Sequence, residues 1–271
     1  LKLIKQLREQ SAGIGSVAAS STGTVLNRTL KEVELAAPIR YSSGDQVERW
    51  LNALLCLNAV CPTPKAMPHP SRCQLYYVNR DTLFSYHSVS EEFLLRLMGL
   101  FVSSHYKNTP NDLQLLSDAP AHHIFALCGP PEDDATLPDI FAAVQVSLEG
   151  CISHATSTNS FGESGDLIPW TLKQQFLDDS FPTLSGARVV RIATHPEHER
   201  MGYGTRALEL LTKYYNGEIV CVDEVEEAVE TVDDDELEER VEGGIGVLEP
   251  RKRLPPLLLD LSQRHAEQLH Y

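Results

Sequence analysis

The chain has 271 residues, 42% of them hydrophobic, and a formal net charge of −15. That length allows one domain or two, and no apolar run approaches the roughly 20 residues that a membrane-spanning helix needs. The charge counts only weakly against a nucleic-acid partner, because residues 223–242 hold twelve acids and one base and leave −4 for all the rest.

In chain order, residues 1–10 have an amphipathic helical pattern without the longer apolar core of a signal peptide. No methionine opens the chain, so it is expected to start inside a longer protein. Residues 11–23, rich in Ser, Gly and Ala, predict a flexible loop. Residues 45–57 predict a helix with Val47, Trp50, Leu51, Leu54 and Leu55 on one face. Pro62, Pro64, Pro68 and Pro70 then mark a linker or surface crossing. A strand is expected at 75–78, and Ser90 followed by Glu91 and Glu92 predicts a helix start. Leu94, Leu97, Met98 and Phe101 give that helix an apolar face. Strands are expected at 124–127 and 141–148, with Gly129-Pro130-Pro131 opening the turn between them.

Val189, Val190, Ile192 and Ala193 read as a buried strand, which His195 and Pro196 end. Gly202 and Gly204 lead into a helix over 204–215 with Ala207, Leu208, Leu210 and Leu211 at helical spacing. Strand, glycine turn and helix start gather free N–H groups at the positive end of a helix dipole, a place suited to phosphate. A P-loop would need Lys-Ser or Lys-Thr after its last glycine, and a dinucleotide fingerprint a third glycine; this turn has neither. The acidic stretch 223–242 reads as a solvated or disordered insertion.

The six cysteines form no Cys-x-x-Cys pair, and several sit in apolar stretches as reduced core thiols do. Cys56, Cys61, His69 and Cys73 are near enough in sequence to suggest zinc, but their spacing is irregular and four prolines lie among them. No metal site is expected.

The turn Glu199-Arg-Met-Gly-Tyr-Gly204 resembles the pyrophosphate loop of the GNAT acetyltransferase superfamily, with Glu199 where Arg or Gln is usual. Longer runs resemble the RNA cytidine acetyltransferases in the family's order: LYYVNRDTLF at 75–84, SHYKNTPNDLQ at 104–114, LSDAPAHH at 116–123, GDLIPW at 165–170, the glycine-loop strand and helix, and PRKRLPPLLL at 250–259. The resemblance implies an α/β fold with a GNAT-type mixed sheet and flanking helices. It implies the tail of a helicase-like module over 1–62, a linker over 63–74, and the acetyltransferase domain over 75–271 with an acidic insertion at 222–246. A helix and strands that the superfamily places after the cofactor helix are not evident by residue 271, so the sheet is expected to be incomplete at its C-terminal side. The implied activity is acetyl transfer from acetyl-CoA to the exocyclic amine of cytidine in small-subunit rRNA and tRNA, in the nucleolus, alongside small-subunit assembly. ATP would bind a site outside this chain. Implied partners are rRNA, tRNA, pre-ribosomal proteins and a guide RNA, with a homodimer as one arrangement and no membrane. Other readings are a protein N-acetyltransferase or an assembly scaffold.

Cytosine's exocyclic amine is a poor nucleophile, so a base would aid its attack by about 10²–10⁴-fold. Histidine titrates in the useful range. The resemblance favours His105 over His122 and His123, which read as structural. Arg191, a charge within an apolar strand, should face away from Val190 and Ile192, toward an active site or a carboxylate such as Asp166. The cofactor would lie on Ile192, Ala193 and Thr194 and on the turn Glu199, Arg200, Met201, Gly202, Tyr203, Gly204 and Thr205. Lys107, Arg206 and Arg251 are further expected phosphate contacts.

Overall fold

The computed structural model describes residues 4, 6–9, 31–33, 39–64, 66–105, 108–130, 137–153, 166–219 and 254–271. The chain divides into two compact units, Leu1–Leu51 and Asn52–Tyr271. In the first, residues 6–9 are helical and Arg8 pairs with Glu32 at 2.5 Å. Helix α1, Gln46–Leu54, starts at Asp45, whose carboxylate accepts the Val47 and Glu48 N–H groups. Of its predicted apolar face, Val47, Trp50 and Leu54 are exposed, and Leu51 and Leu55 half-buried. The predicted loop 11–23, the acidic stretch 223–242 and the Arg251–Arg253 cluster lie outside the described residues.

The second unit is built on β1 (Gln74–Val78), β2 (His122–Cys128), β3 (Ile140–Gly150), β4 (Ser185–Thr194) and β5 (Leu258–Asp260). Their order across the sheet is β4-β3-β2-β1-β5. The helices are α2 (Arg80–Leu83), α3 (Ser88–Ser104), α4 (Pro110–Asp118), α5 (Leu167–Phe176) and α6 (Tyr203–Tyr215). None of the described helices is long and apolar enough to cross a membrane.

The sheet is covered on both faces, which is why β2 and β3 read as nearly unbroken apolar runs. Ile124 and Ala126 join Phe93, Leu97 and Phe101 of α3 in one cluster. Phe125 and Leu127 join Tyr203, Ala207 and Leu211 of α6 in the other. Strand alternation thus deals successive residues of β2 to opposite cores. Helix α3 begins two residues before the expected Ser90. His87 is its N-cap and accepts the Val89 N–H, while Ser90 is buried inside the helix.

Three expectations for the sheet change. First, all pairings among the five strands are antiparallel. The parallel element of a mixed sheet is carried by the tail. The Tyr271 N–H donates to Ser185 O and the Ala187 N–H to Tyr271 O, so Tyr271 brackets Gly186 as a parallel neighbour does. Second, β4 is not a buried strand: it borders the sheet, and Val189 is 40% exposed. Third, of the strands not evident in the sequence after the cofactor helix, Leu258–Asp260 supplies one, β5. It pairs with β1 and is fastened by Asn79 N–H to Leu257 O and Thr82 Oγ1 to Pro255 O.

Gly150 closes β3 at φ +90°, and a Cβ there would lie 1.8 Å from Leu184 O, the acceptor of the Cys151 N–H. Gly150→Ala is expected to cost about 2–5 kcal/mol, backbone strain plus a clash with main chain that cannot step aside. Gly217→Ala, at φ +70° with nothing within 4 Å, carries the strain without the clash. Urea unfolding of both variants checks this, and the expected result is a clearly larger loss at 150.

Candidate active site

The β4–α6 junction follows from its residues. His195 caps a 3-10 turn, Pro196–His198, by accepting the Glu197 N–H on Nδ1, and Pro196 supplies the fixed φ of the first turn position. Arg200 at φ 64° and Gly202 at φ 94° then reverse the chain. Gly202 is the N-cap of α6, and the helix has no side-chain cap; the first N–H bonded back is that of Arg206, to Gly202 O. The N–H groups before it point off the helix end.

The two glycines serve different purposes. A Cβ on Gly202 would meet only Pro70 Cγ at 3.6 Å, so this glycine is demanded by its φ. A Cβ on Gly204 would lie 3.1 Å from Thr194 Cγ2, so this glycine lets α6 lie close on the end of β4. Tyr203 offers the turn its backbone only: its ring stacks on Phe141 at 4.7 Å and its hydroxyl donates to Pro68 O at 2.7 Å. Ile192 belongs to the core under α6, and Ala193 to that under α3. Glu199, Arg200, Met201 and Thr205 are exposed around the turn.

The turn is braced from behind. His195 Nε2 meets Pro62 O at 3.0 Å, and His198 Nδ1 lies 3.1 Å from His195 Nδ1. Those contacts assign the protons: His195 donates from Nε2 to Pro62 and accepts on Nδ1 from His198. Both rings are buried, and burial, with His195 alongside, pushes the His198 imidazole below its usual pKa. With Glu197 they are the one trio of potential metal ligands among the described residues. Cys56, Cys61, His69 and Cys73 form no such group.

In β4 the register with β3 shifts between Gln145 and Val146: Arg191 faces Gln145, Val189 faces Val146, and Val190 has no partner. This bulge interrupts the two-residue alternation at Val190, which sequence reading ran straight through. Arg191 does lie opposite Ile192. Its guanidinium pairs with Asp112, not Asp166, and Nη1 donates to Asn108 Oδ1 at 3.3 Å. Asp166 instead accepts the Gly150 N–H at 2.9 Å.

His105 is the C-cap of α3, its N–H bonded to Phe101 O. Its Nε2 is buried without a hydrogen-bond partner. Burial, and next the positive charge of Arg191, push its pKa down; Asp112 and the Ile192 backbone pull it up. For Asp112 burial alone would raise the carboxyl, but hydrogen bonds from Arg191 and Thr109 outweigh it and hold it below the usual range. The structure therefore brings His105 and Arg191 together beside the Ile192 end of β4. His122 and His123 open β2 instead. His122 bonds Gln145 at 2.8 Å, and burial drives His123, next to Glu267 and Arg264, down to about 4. Arg206 lies on α6 within 4.0 Å of Glu209, while Lys107 and Arg251 fall outside the described residues.

Sequence reading missed Asn108 and Asp112. The signal was present: Thr109-Pro110-x-Asp112 is a capping box, with the Thr109 N–H donating to Asp112 Oδ2 at 2.7 Å, and it announces α4.

A β-sheet between two helical layers, a bulged border strand, and an uncapped helix start behind a glycine turn together define a chain built as the GNAT acetyltransferases are. The family model GNAT acetyltransferase 2 matches residues 96–271, and the helicase-domain model of RNA cytidine acetyltransferase NAT10/TcmA matches residues 1–58. The whole chain is 52% identical to an RNA cytidine acetyltransferase of Dictyostelium discoideum and 51% identical to that of Homo sapiens. It is 55% identical, over 90% of its length, to one from Achlya ambisexualis, of which it covers 69%. The chain belongs to the RNA cytidine acetyltransferase family. It spans 28% of the length of the Dictyostelium and human relatives.

Proposed function

We propose that this chain carries the acetyl-transfer centre of an enzyme that acetylates the exocyclic amine of cytidine in RNA. The observation that carries the proposal is the cluster at the end of β4: a buried, unpartnered His105 Nε2 and the Arg191–Asp112 ion pair, beside the strand that runs into the uncapped α6 turn. Acetyl-CoA would supply the activated acyl group. The residues fit it. The main-chain N–H groups at Gly202–Thr205, at a helix start whose N-cap Gly202 supplies no side-chain cap, would suit a pyrophosphate. The backbone of Ile192 and Thr194, on the side of β4 away from β3 with Ala193 between them, offers border-strand groups for the pantetheine amides. His105 accepts the proton that the amine must lose as it attacks, and its depressed pKa keeps the ring neutral at neutral pH. Arg191 lends positive charge near the reacting atoms.

The finer particulars belong to the same proposal: rRNA and tRNA as substrates, ATP hydrolysis by the helicase-related part, work in small-subunit assembly, and a nucleolar location. The match of residues 1–58 to a helicase domain supports the ATP-dependent part, and the names of the relatives support RNA cytidine as the acceptor. The test is incubation of the full-length protein with labelled acetyl-CoA, offering RNA and histones in separate reactions. Label in RNA cytidine is the expected outcome. Label in histones alone would replace the proposal with a protein acetyltransferase.

A further inference from the structure

Asp112 divides its carboxylate between two tasks. Oδ2 accepts the Thr109 N–H at 2.7 Å and the Thr109 hydroxyl at 3.0 Å, capping α4. Oδ1 pairs with Arg191 Nη2, and both side chains are largely shielded, 20% and 13% exposed. Arg191 Nη1 in turn donates to Asn108 Oδ1, and Asn108 Nδ2 donates to the His105 carbonyl at 2.7 Å. A continuous line of polar contacts therefore runs from Asp112 through Arg191 and Asn108 to the His105 backbone. Among the described residues, the charged groups acting on the His105 ring are Arg191 from β4 and Asp112 from α4, and Phe101 of its own helix and the Ile192 backbone also meet it.

We propose that Asp112 is a positioning residue for acetyl transfer: it clamps Arg191 against the turn after α3 and so fixes both the orientation of His105 and the charge that His105 meets. The inference rests on the reading that His105 acts at the transfer step. A helix cap needs only an acceptor at position 112. The clamp needs a negative charge, because Arg191 would otherwise stand unopposed beside a ring that must take up a proton.

Asp112→Asn separates the two. Asparagine still accepts the Thr109 N–H, so α4 keeps its cap, while the charge is lost. In the full-length protein the transfer rate is expected to fall about 10- to 100-fold, the scale of a slightly misplaced catalytic group. The KM for acetyl-CoA should stay within about twofold, since no cofactor contact changes. The acid limb of the rate should move to lower pH, because the influence that raises the His105 pKa is gone. Asp112→Glu, which keeps charge and acceptor, should recover part of the rate. Asn108→Ala, which cuts the line without altering charge, should slow transfer and leave the limb where it was.

A readout independent of activity is the NMR titration of the labelled His105 ring. It should titrate lower in Asp112→Asn than in the parent. If the parent acetylates RNA and Asp112→Asn keeps both its rate and its limb, the inference is overturned. If the parent acetylates no RNA, the proposed function fails, and the NMR titration still decides whether Asp112 governs His105: an unchanged His105 titration overturns the inference in that case too.

Discussion

Gly204→Glu is expected to abolish acetyl-CoA binding, with at least a roughly 100-fold loss of affinity by calorimetry. Two charges of one sign would compete for a single helix end, and the side chain would occupy the space in front of the N–H groups. The same argument predicts that the fold survives. A carboxylate in the first turn of a helix favours the helix by about 0.3–1 kcal/mol. That gain offsets much of the cost of the Cβ at 3.1 Å from Thr194 Cγ2, whose methyl can shift slightly. Gly204→Ala supplies the Cβ without the charge and should retain binding within about tenfold. Undiminished affinity in the glutamate variant, with an unchanged melting profile, would remove acetyl-CoA from this turn.

His105→Ala is expected to lower the transfer rate by about 10²–10⁴-fold, the usual worth of a general base, while acetyl-CoA affinity holds within a few-fold. The pH dependence sets the sign. A base must be neutral, so the parent rate falls as pH drops through the His105 pKa. Burial and Arg191 place that pKa below the ordinary histidine value, so the fall should begin below about pH 6.5. The variant should lose this limb. Single-turnover acetylation of an RNA substrate across pH measures both. A variant with the parent's rate and profile would confine His105 to capping α3, and another group would have to accept the proton.

Much of the sheet was legible because its strands obey simple rules. Ile124–Leu127 is apolar without a break, Phe141–Leu148 is broken only by Gln145 and Ser147, and helices α3 and α6 carry clear apolar faces. Elements that bury little were missed. Helix α4 fully buries only Leu116, with Leu113 half-buried beside it, so its apolar pattern is too short to stand out despite its capping box. Helix α5 carries Pro169 in its first turn, and β5 has three residues just after Pro255 and Pro256. The glycine turn could be read locally, since φ and sequence coincide there. The partner of Arg191 could not: Asp112 lies far back in the chain, and only the folded sheet brings α4 against β4. Nor does any residue type announce the bulge at Val190, which arises from the register of a neighbouring strand.

The pairing of β1 with β5 joins Tyr76 to Asp260, 184 positions later in the chain. At about 5–20 residues per second, a ribosome needs roughly 10–40 s to travel that distance. For that interval β1 can already have β2 on one side, because Tyr77 and Phe125 are neighbours in both time and space. Its other side stays a bare strand edge with unspent donors and acceptors, open to the strand of any nearby nascent chain. The covering of β1 is therefore a question of timing during synthesis: β5 is the last made of the five described strands, and until it arrives the protein carries its own aggregation hazard.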